Sequence, residues 1–455
     1  MTRVVVVGGG IAGLAAARRL ESLVPDAEVT LVERSERLGG KLLTEREHGF
    51  VVEGAADSFL SRKPRGIGLA EELGLEDELV GRRPENARTF VRFGGELHPL
   101  PDGLSGMIPT NLAALEDTRL LSPPGRERLA AEADLPPAPP GGDESIAAFV
   151  SRRFGREAYE RLMEPLMTGI YGGDGEQLSL EATFPQLRAL ELEHGSVLRG
   201  LAAQPAPGGS YPPFVSFRGG MSSLVDSLAA GLERARVLLG RTARAVRATP
   251  GGYEVELSDV VLEADGVVVA VPAFATAELL AELDADLAGE HAGIPYASSA
   301  IVTLAFAGEG ELGGYGYVVP RVGDSDVLAC TWSSSKWEGR APEGFTLVRV
   351  YLGHFGGRDV TADSDEELVR YARGRIPLGL GQLPYRTWVH HWPRGMPQYV
   401  LGHPERLERI DAAVTRHPGL ALAGAAYRGV GIPDCIASGE EAARAVAHSF
   451  AKVGG

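Results

Sequence analysis

Cysteine is nearly missing from this 455-residue chain, which carries only Cys330 and Cys435. Two thiols without a Cys-x-x-Cys spacing exclude a disulfide framework, a structural zinc site and a dithiol redox motif, and point to a reducing compartment. Positive charge is also short. Formal net charge is −16, so nucleic acid and anionic membrane surfaces would be repelled, and no nucleic-acid partner is expected. Only four of the 45 basic residues are lysine (Lys41, Lys63, Lys336, Lys452). No uncharged apolar run is long enough to span a bilayer, which leaves at most a peripheral membrane contact. The apolar start after a basic residue has the outline of a signal peptide, but its glycine spacing and the helix continuing through Arg18-Arg19 explain it better. A cytoplasmic location is the expectation. Adjacent His390 and His391 are no metal pair, because neighbours on a strand face opposite ways, and no metal is expected.

What is present begins with Val4-Val5-Val6-Val7-Gly8-Gly9-Gly10-Ile11-Ala12-Gly13. Four β-branched residues make a buried parallel strand. The glycines let backbone N–H groups approach a pyrophosphate, and an alanine-rich helix follows with its N-terminus toward the anion. Glu33 closes a second β-branched run, Val29 to Val32, at the distance where a carboxylate takes a ribose hydroxyl. Strand, turn, helix and acid together predict a bound dinucleotide. Arg34, Arg37, Gly40 and Lys41 follow, where a guanidinium fork and an ammonium would offset phosphate charge. The strand from Gly49 ends in Gly54-Ala55-Ala56-Asp57, small residues that let backbone lie against a flat ring.

Beyond Ser61 the pattern reads as helical to about Gly200, interrupted by the Pro136 to Gly142 loop, with Thr168 to Asp174 a glycine-rich loop after a helix. A proline–glycine stretch, Gln204 to Pro213, marks a return to the first unit. Ser223 and Asp226 form a capping box, strands alternate from Val237 to Leu262, and Gly266 to Pro272 is a buried strand. A second Gly-x-Gly-x-x-Gly match at Gly308, Gly310 and Gly313 precedes a strand, so a hairpin is expected there and no second nucleotide site. Residues 301 to 392 read as a mixed sheet with one helix near Glu366 to Arg375. Leu420 to Gly424 is a last buried strand, turning through Val430-Gly431-Ile432 into a helix whose N-terminal dipole favours negative charge.

These residues carry a resemblance. Acid, Arg37, Gly39-Gly40 and a base are similar to the extended phosphate site of flavin amine oxidases. Glu164-Pro165-Leu166, Gly169 to Asp174, Ala182 to Pro185, Trp392 with Met396-Pro397-Gln398-Tyr399, and Gly429 to Ile436 resemble the oxygen-dependent bacterial protoporphyrinogen and coproporphyrinogen oxidases, end to end. The family usually has Gly-Pro where Gly54-Ala55 stands, which bears on flavin affinity. The resemblance implies FAD, held by Gly8, Gly9, Gly10, Ile11, Ala12, Gly13, Glu33, Arg34, Arg37, Gly40, Lys41, Gly54, Ala55, Ala56, Asp57, Ala243, Trp392, Gly424, Val430, Gly431 and Ile432. It implies removal of six hydrogens from a porphyrinogen with molecular oxygen as acceptor and hydrogen peroxide as product, and no side-chain general base is evident in these motifs.

The implied fold is α/β: a Rossmann-like FAD-binding domain (1–60, 215–275, 415–455), a mixed-sheet substrate domain (61–84, 185–214, 276–414) and a helical subdomain (85–184), as in amine oxidases and p-hydroxybenzoate hydroxylase. Gly169, Ile170, Tyr171 and Gly173 are expected to border the substrate. Arg62, Lys63 and Arg65 are expected to meet its propionates, which favours coproporphyrinogen III, with four carboxylates, over protoporphyrinogen IX, with two. Rival readings are an amine or carotenoid-precursor oxidase of the same fold, and a non-catalytic binding protein built on it. The sequence does not fix the oligomeric state.

Overall fold

The computed structural model describes residues 2–139, 141–204, 208–308, 310, 312–322, 326–376 and 383–453. Pro140 of the expected Pro136–Gly142 loop and part of the Gln204–Pro213 stretch lie outside them. The first strand, Arg3–Val7, is central in a five-stranded parallel sheet. It pairs with Glu28–Val32 on one side and Gly266–Val269 on the other. Arg236–Leu238 and Leu420–Leu422 are the edges. Continuous burial of Val4 to Val7 is what a strand covered on both faces requires. Helices Ile11–Leu23 and Ile432–Val453 pack together over one face. An antiparallel unit, Ala243–Thr249 to Val261–Ala264, covers the other.

A seven-stranded mixed sheet forms the second layer. Its order is Arg386–Pro397, Tyr296–Ala307, Phe345–Leu352, Val327–Trp332, Gly316–Val318, Thr89–Phe93 and Glu96–Pro99. One face packs on Asp365–Arg373 and its neighbours, close to the helix expected at 366–375. The opposite face, carrying Leu347, Arg349 and Tyr351 in alternation, looks toward Phe50 and Val52 and the loop that follows them. The helical unit, with Ile146–Phe154, Glu164–Tyr171 and Pro185–His194, has its own apolar core.

Four expectations need correcting. The stretch expected to be helical from Ser61 opens with helix Pro64–Glu72 but then passes through strand Leu79–Gly81 and strands Thr89–Phe93 and Glu96–Pro99. Gly94 and Gly95, at φ 60° and 85°, make their tight turn, a signal the helical reading passed over. Helix Ser222–Ala230 starts two residues early, so its N-cap is Met221, which has no capping side chain, and Ser223 lies inside the helix with its hydroxyl accepting from Arg46 Nη2 at 3.3 Å. Strands 296–307 and 316–318 flank the second glycine triplet but do not pair with each other, so no hairpin forms. Finally, Gly169, Ile170 and Tyr171 complete a helix, and only Gly172, at φ 56°, turns the chain.

Candidate active site

The three glycines of the first turn do different things. Gly8 has φ +109°, and a Cβ on it would lie 2.6 Å from the Ala270 carbonyl oxygen. A Cβ on Gly13 would sit 1.8 Å from the Gly8 carbonyl oxygen, so Gly13 lets helix and strand close. A Cβ on Gly10 would meet nothing within 4 Å, and Gly10 caps the helix without a side-chain bond. Open space therefore lies before a helix end whose first N–H groups lack capping partners, which is a cradle for an anion. Gly424, at φ +116°, likewise faces open space on the far rim.

Glu33 lies against this turn. Its carboxylate accepts from Gly9 N at 2.7 Å, Ser35 N at 2.9 Å and Ser35 Oγ at 2.7 Å, which fixes it beside the cradle. The following loop is clasped to the turn by Gly39 N donating to Gly9 O at 2.8 Å, with Gly40 against Gly10. Arg37 is not aimed at a phosphate. It donates to the carbonyls of Leu38, Gly40 and Leu42 at 3.2, 2.6 and 3.4 Å, holding the loop from behind. Arg34 is exposed. Lys41 has accessible surface and no ion-pair partner among the described residues, yet burial lowers its pKa, and the nearby Cys435 is a thiol whose own pKa burial pushes up to about 12. A cation both enclosed and accessible lies in a deep cleft, near the start of helix Ile432–Val453. Ala243 is half-buried at the start of its strand, close to the Glu33 backbone that takes Arg241 N at 3.0 Å.

The far rim is held by residues whose role the sequence did not disclose. Tyr399 Oη donates to Ala425 O at 2.7 Å and accepts from Gly429 N at 2.9 Å, so it braces the turn carrying Val430, Gly431 and Ile432. Gln398 Nε2 donates to Tyr171 O at 2.9 Å, tying the same segment to the helical unit. Both were visible in the Met396 to Tyr399 motif, but nothing in its spacing said what they touch.

Gly54 to Asp57 closes the remaining side. Trp392 Nε1 donates to Gly54 O at 2.8 Å, and a Cβ on Gly54 would lie 2.9 Å from the His390 ring. Ala55 and Ala56 keep accessible surface, while Asp57 is buried. Its carboxylate accepts from Lys336 Nζ at 2.8 Å and Trp337 Nε1 at 3.1 Å, and Arg349 reaches the Ala55 carbonyl. Burial alone would raise the Asp57 pKa, but Lys336 and Arg349 override it and hold the group well below its ordinary value. Asp57 and Trp392 thus support the loop, and Ala55 and Ala56 present it to the cleft.

On the substrate side, Gly169 and Ile170 are exposed, Ile170 to 50%. Tyr171 is not: it is packed in the helical core with its ring edge-on to Phe184. Gly173 is a packing position, a Cβ there lying 2.5 Å from Leu178 and 2.6 Å from Gln398 Oε1. The basic cluster separates. Arg65 bonds Glu72 at 2.9 Å and pairs with Glu440, which removes it from the expected propionate group. Lys63 Nζ bonds Asp434 Oδ2 at 2.5 Å at the rim, and Arg62 is exposed. His390 and His391 bond Glu45 and Asp365 separately, and no metal-binding group occurs among the described residues.

This fold and cradle define a flavin-dependent oxidoreductase: the open space at Gly10 and Gly424, the carboxylate of Glu33 and the small-residue loop at Ala55 fit FAD. Residues 11–447 match the model of the flavin containing amine oxidoreductase family. The chain is 36% identical to coproporphyrinogen III oxidase of Bacillus subtilis, with 96% of each chain covered. It is 33% identical to protoporphyrinogen oxidase of Homo sapiens, covering 97% of this chain and 98% of that one. A solved Exiguobacterium protein, described provisionally as a protoporphyrinogen oxidase, superposes with TM-score 0.89 at 34% identity, covering 98% of this chain and 99% of that one. The chain belongs to the flavin containing amine oxidoreductases, and within them to the porphyrinogen oxidases.

Proposed function

We propose that this chain oxidises coproporphyrinogen III to coproporphyrin III, using oxygen and releasing hydrogen peroxide. Six hydrogens leave the substrate in three two-electron rounds, each matched by reduction of one oxygen molecule. The observation that carries the reading is the near full-length identity to coproporphyrinogen III oxidases of Bacillus subtilis and Staphylococcus aureus, at 36% and 33%. Protoporphyrinogen IX is the second substrate to test, because the human and plant relatives are protoporphyrinogen oxidases. Among the described residues no helix is long and apolar enough to cross a membrane. A cytoplasmic site of action is part of the same reading, as is the division into an FAD-binding domain, a substrate domain and a helical unit.

Bound FAD supplies the two-electron redox chemistry. The protein's task is placement and electrostatics. Gly10 and the first N–H groups of helix Ile11–Leu23 would receive the pyrophosphate, and Glu33 the ribose. Tyr399 fixes the turn that sets the position of helix Ile432–Val453, whose N-terminal dipole favours an anion on the ring. Gln398 couples that turn to Glu164–Tyr171, where Gly169 and Ile170 leave room for a broad planar substrate. Catalysis is then chiefly holding a substrate carbon at attack distance, with water kept out.

The test is aerobic turnover of both porphyrinogens by the purified yellow protein, followed by porphyrin fluorescence. A higher kcat/KM for coproporphyrinogen III supports the proposal. A preference for protoporphyrinogen IX transfers it to the second substrate, and turnover of neither, with amine oxidation instead, overturns it.

A further inference from the structure

The buried charges behind the Ala55 loop do not balance. Asp57 and Glu53 are the carboxylates, and Lys336, Arg349, Arg340 and Arg82 the cations. Arg340 lies 3.6 Å from Glu53, with both groups almost fully enclosed. Glu53 accepts in addition from Thr44 Oγ1 at 2.7 Å and Met221 N at 2.9 Å. That leaves Asp57 alone for three cations. Lys336 takes it at 2.8 Å, and Arg349 stands 3.8 Å away. Arg349 is 1% exposed, and its Nε and Nη1 have no hydrogen-bond partner.

Arg82 has no carboxylate and no hydrogen-bond partner among the described residues. Its guanidinium lies between the rings of Phe214 and Tyr315, 4.9 and 4.8 Å from their centroids. The nearby Glu85 is engaged by Arg83 at 2.7 Å. Stacking on two faces leaves the N–H edge of a guanidinium free for a planar acceptor. Arg83 N bonds Lys336 O at 3.0 Å, and the Arg82 charge is close enough to Lys336 to help lower its pKa after burial.

Arg349 touches the Ala55 carbonyl at the loop that faces the cleft, Lys336 feels the charge of both Arg349 and Arg82, and Arg82 lies on the partly exposed Phe214. Tyr351, 5.1 Å from the Arg349 guanidinium, is enclosed enough that burial pushes its pKa up to about 12, yet it keeps accessible surface. Lys336 is similar: burial lowers its pKa while 16% of its side chain stays accessible. Groups that are enclosed and still accessible line an internal space. Arg349 and Arg82 therefore keep N–H groups with no protein acceptor among the described residues beside Lys336, and an anion placed there would pair with them.

We propose that Arg82 and Lys336, backed by Arg349, form a carboxylate-binding site for the acidic side arms of the substrate, at the end of the cleft beyond Ala55. The assignment rests on the porphyrinogen reading above. It replaces the expected Arg62, Lys63 and Arg65 group, of which Arg65 is engaged elsewhere and Lys63 is held by Asp434. A planar carboxylate meets the free edge of Arg82 and the ammonium of Lys336, and the apolar macrocycle extends toward Gly169 and Ile170.

The experiment is a titration of the flavin-loaded protein with coproporphyrin III and with its tetramethyl ester in the same detergent, at low and high salt. Arg82→Gln and Lys336→Met are compared with the parent. Arg82→Gln removes no ion pair, so it reports on the site even if Lys336→Met, which strips Asp57 of its nearest partner, fails to fold. The expected result is tenfold or more weaker binding of the free acid in each folded variant, loss of much of the salt dependence, unchanged binding of the ester, and unchanged flavin content. Free-acid affinity unchanged in Arg82→Gln overturns the site. So does an equal loss for acid and ester, which would mark the cluster as structural. Parent protein that binds and oxidises no porphyrinogen overturns the functional reading and this site together, whereas normal parent turnover with unaltered variants overturns this site alone.

Discussion

Within one turn of backbone, Gly10 and Gly13 separate ligand binding from folding. Gly13→Ala places a methyl against the Gly8 carbonyl, which would lie 1.8 Å away. Strand and helix must then move apart, and thermal unfolding of the apoprotein should fall by several degrees. The Cβ added by Gly10→Val meets no protein atom within 4 Å, so the apoprotein's unfolding should change little while the purified variant loses its flavin absorbance. A Gly10→Val protein with full flavin content would show that the space before the helix is not the pyrophosphate site. Glu33→Gln exchanges a charged acceptor for a neutral one with a donor group, where Gly9 N, Ser35 N and Ser35 Oγ all require acceptors. FAD affinity should drop about tenfold, the scale of losing one charge-assisted bond. Equal Kd values in parallel FAD titrations would remove Glu33 from the cofactor site.

The helix Glu164–Tyr171 makes a sharper prediction than a loop allows. Gly169 has only Val318, at 3.9 Å, near its added Cβ, whereas Gly173 would collide with Leu178 and Gln398. Gly169→Val should therefore keep flavin and stability and slow anaerobic flavin reduction by substrate. Gly173→Val should lower the unfolding temperature and loosen the Gln398 link. If both variants behaved alike in thermal unfolding, the packing difference would carry no weight. The dinucleotide turn was legible because its chemistry is local: strand, glycines, helix and acid all fall within 33 residues. The Gly169 to Asp174 stretch was misjudged as loop because glycine suggests a turn, while tertiary packing in the helical core carries the helix to Tyr171. Arg349 was missed although its signal was plain, a lone arginine in the apolar strand Phe345–Leu352. Its partners Asp57 and Ala55 are almost 300 residues away, so no spacing rule reaches them.

Across the molecule, acid should loosen the helical unit first. Glu191 is fully enclosed and accepts from Arg152 at 2.5 and 2.7 Å, Arg188 at 2.8 Å and Ala138 N at 3.0 Å. Burial alone would raise its pKa, but these partners hold it down to about 2, from 4.5. A depressed carboxylate stabilises the fold above its unfolded pKa and loses that contribution as pH falls through the folded value. The window is therefore pH 4.5 to about 2, and the loss up to about 3 kcal/mol. Circular dichroism melts across that window should show a falling Tm in the parent and a flatter, lower profile in Glu191→Gln. A parent Tm that stays level to pH 2.5 would contradict the assignment. The five-stranded sheet has a further consequence, for biosynthesis. Strand Gly266–Val269 inserts between Arg3–Val7 and Leu420–Leu422, and Gly439 must come against Ala12, where an added Cβ would lie 2.0 Å from its carbonyl oxygen. A ribosome adding about 5 to 20 residues per second takes roughly 20 to 90 seconds to reach that glycine. Until then strand Gly266–Val269 lacks its second neighbour, helix Ile11–Leu23 lacks the helix that packs on it, and the flavin pocket is incomplete. Stable FAD retention should therefore arise only as synthesis ends, because Leu420–Leu422 and Ile432–Val453 are the last elements to complete the cofactor side of the sheet.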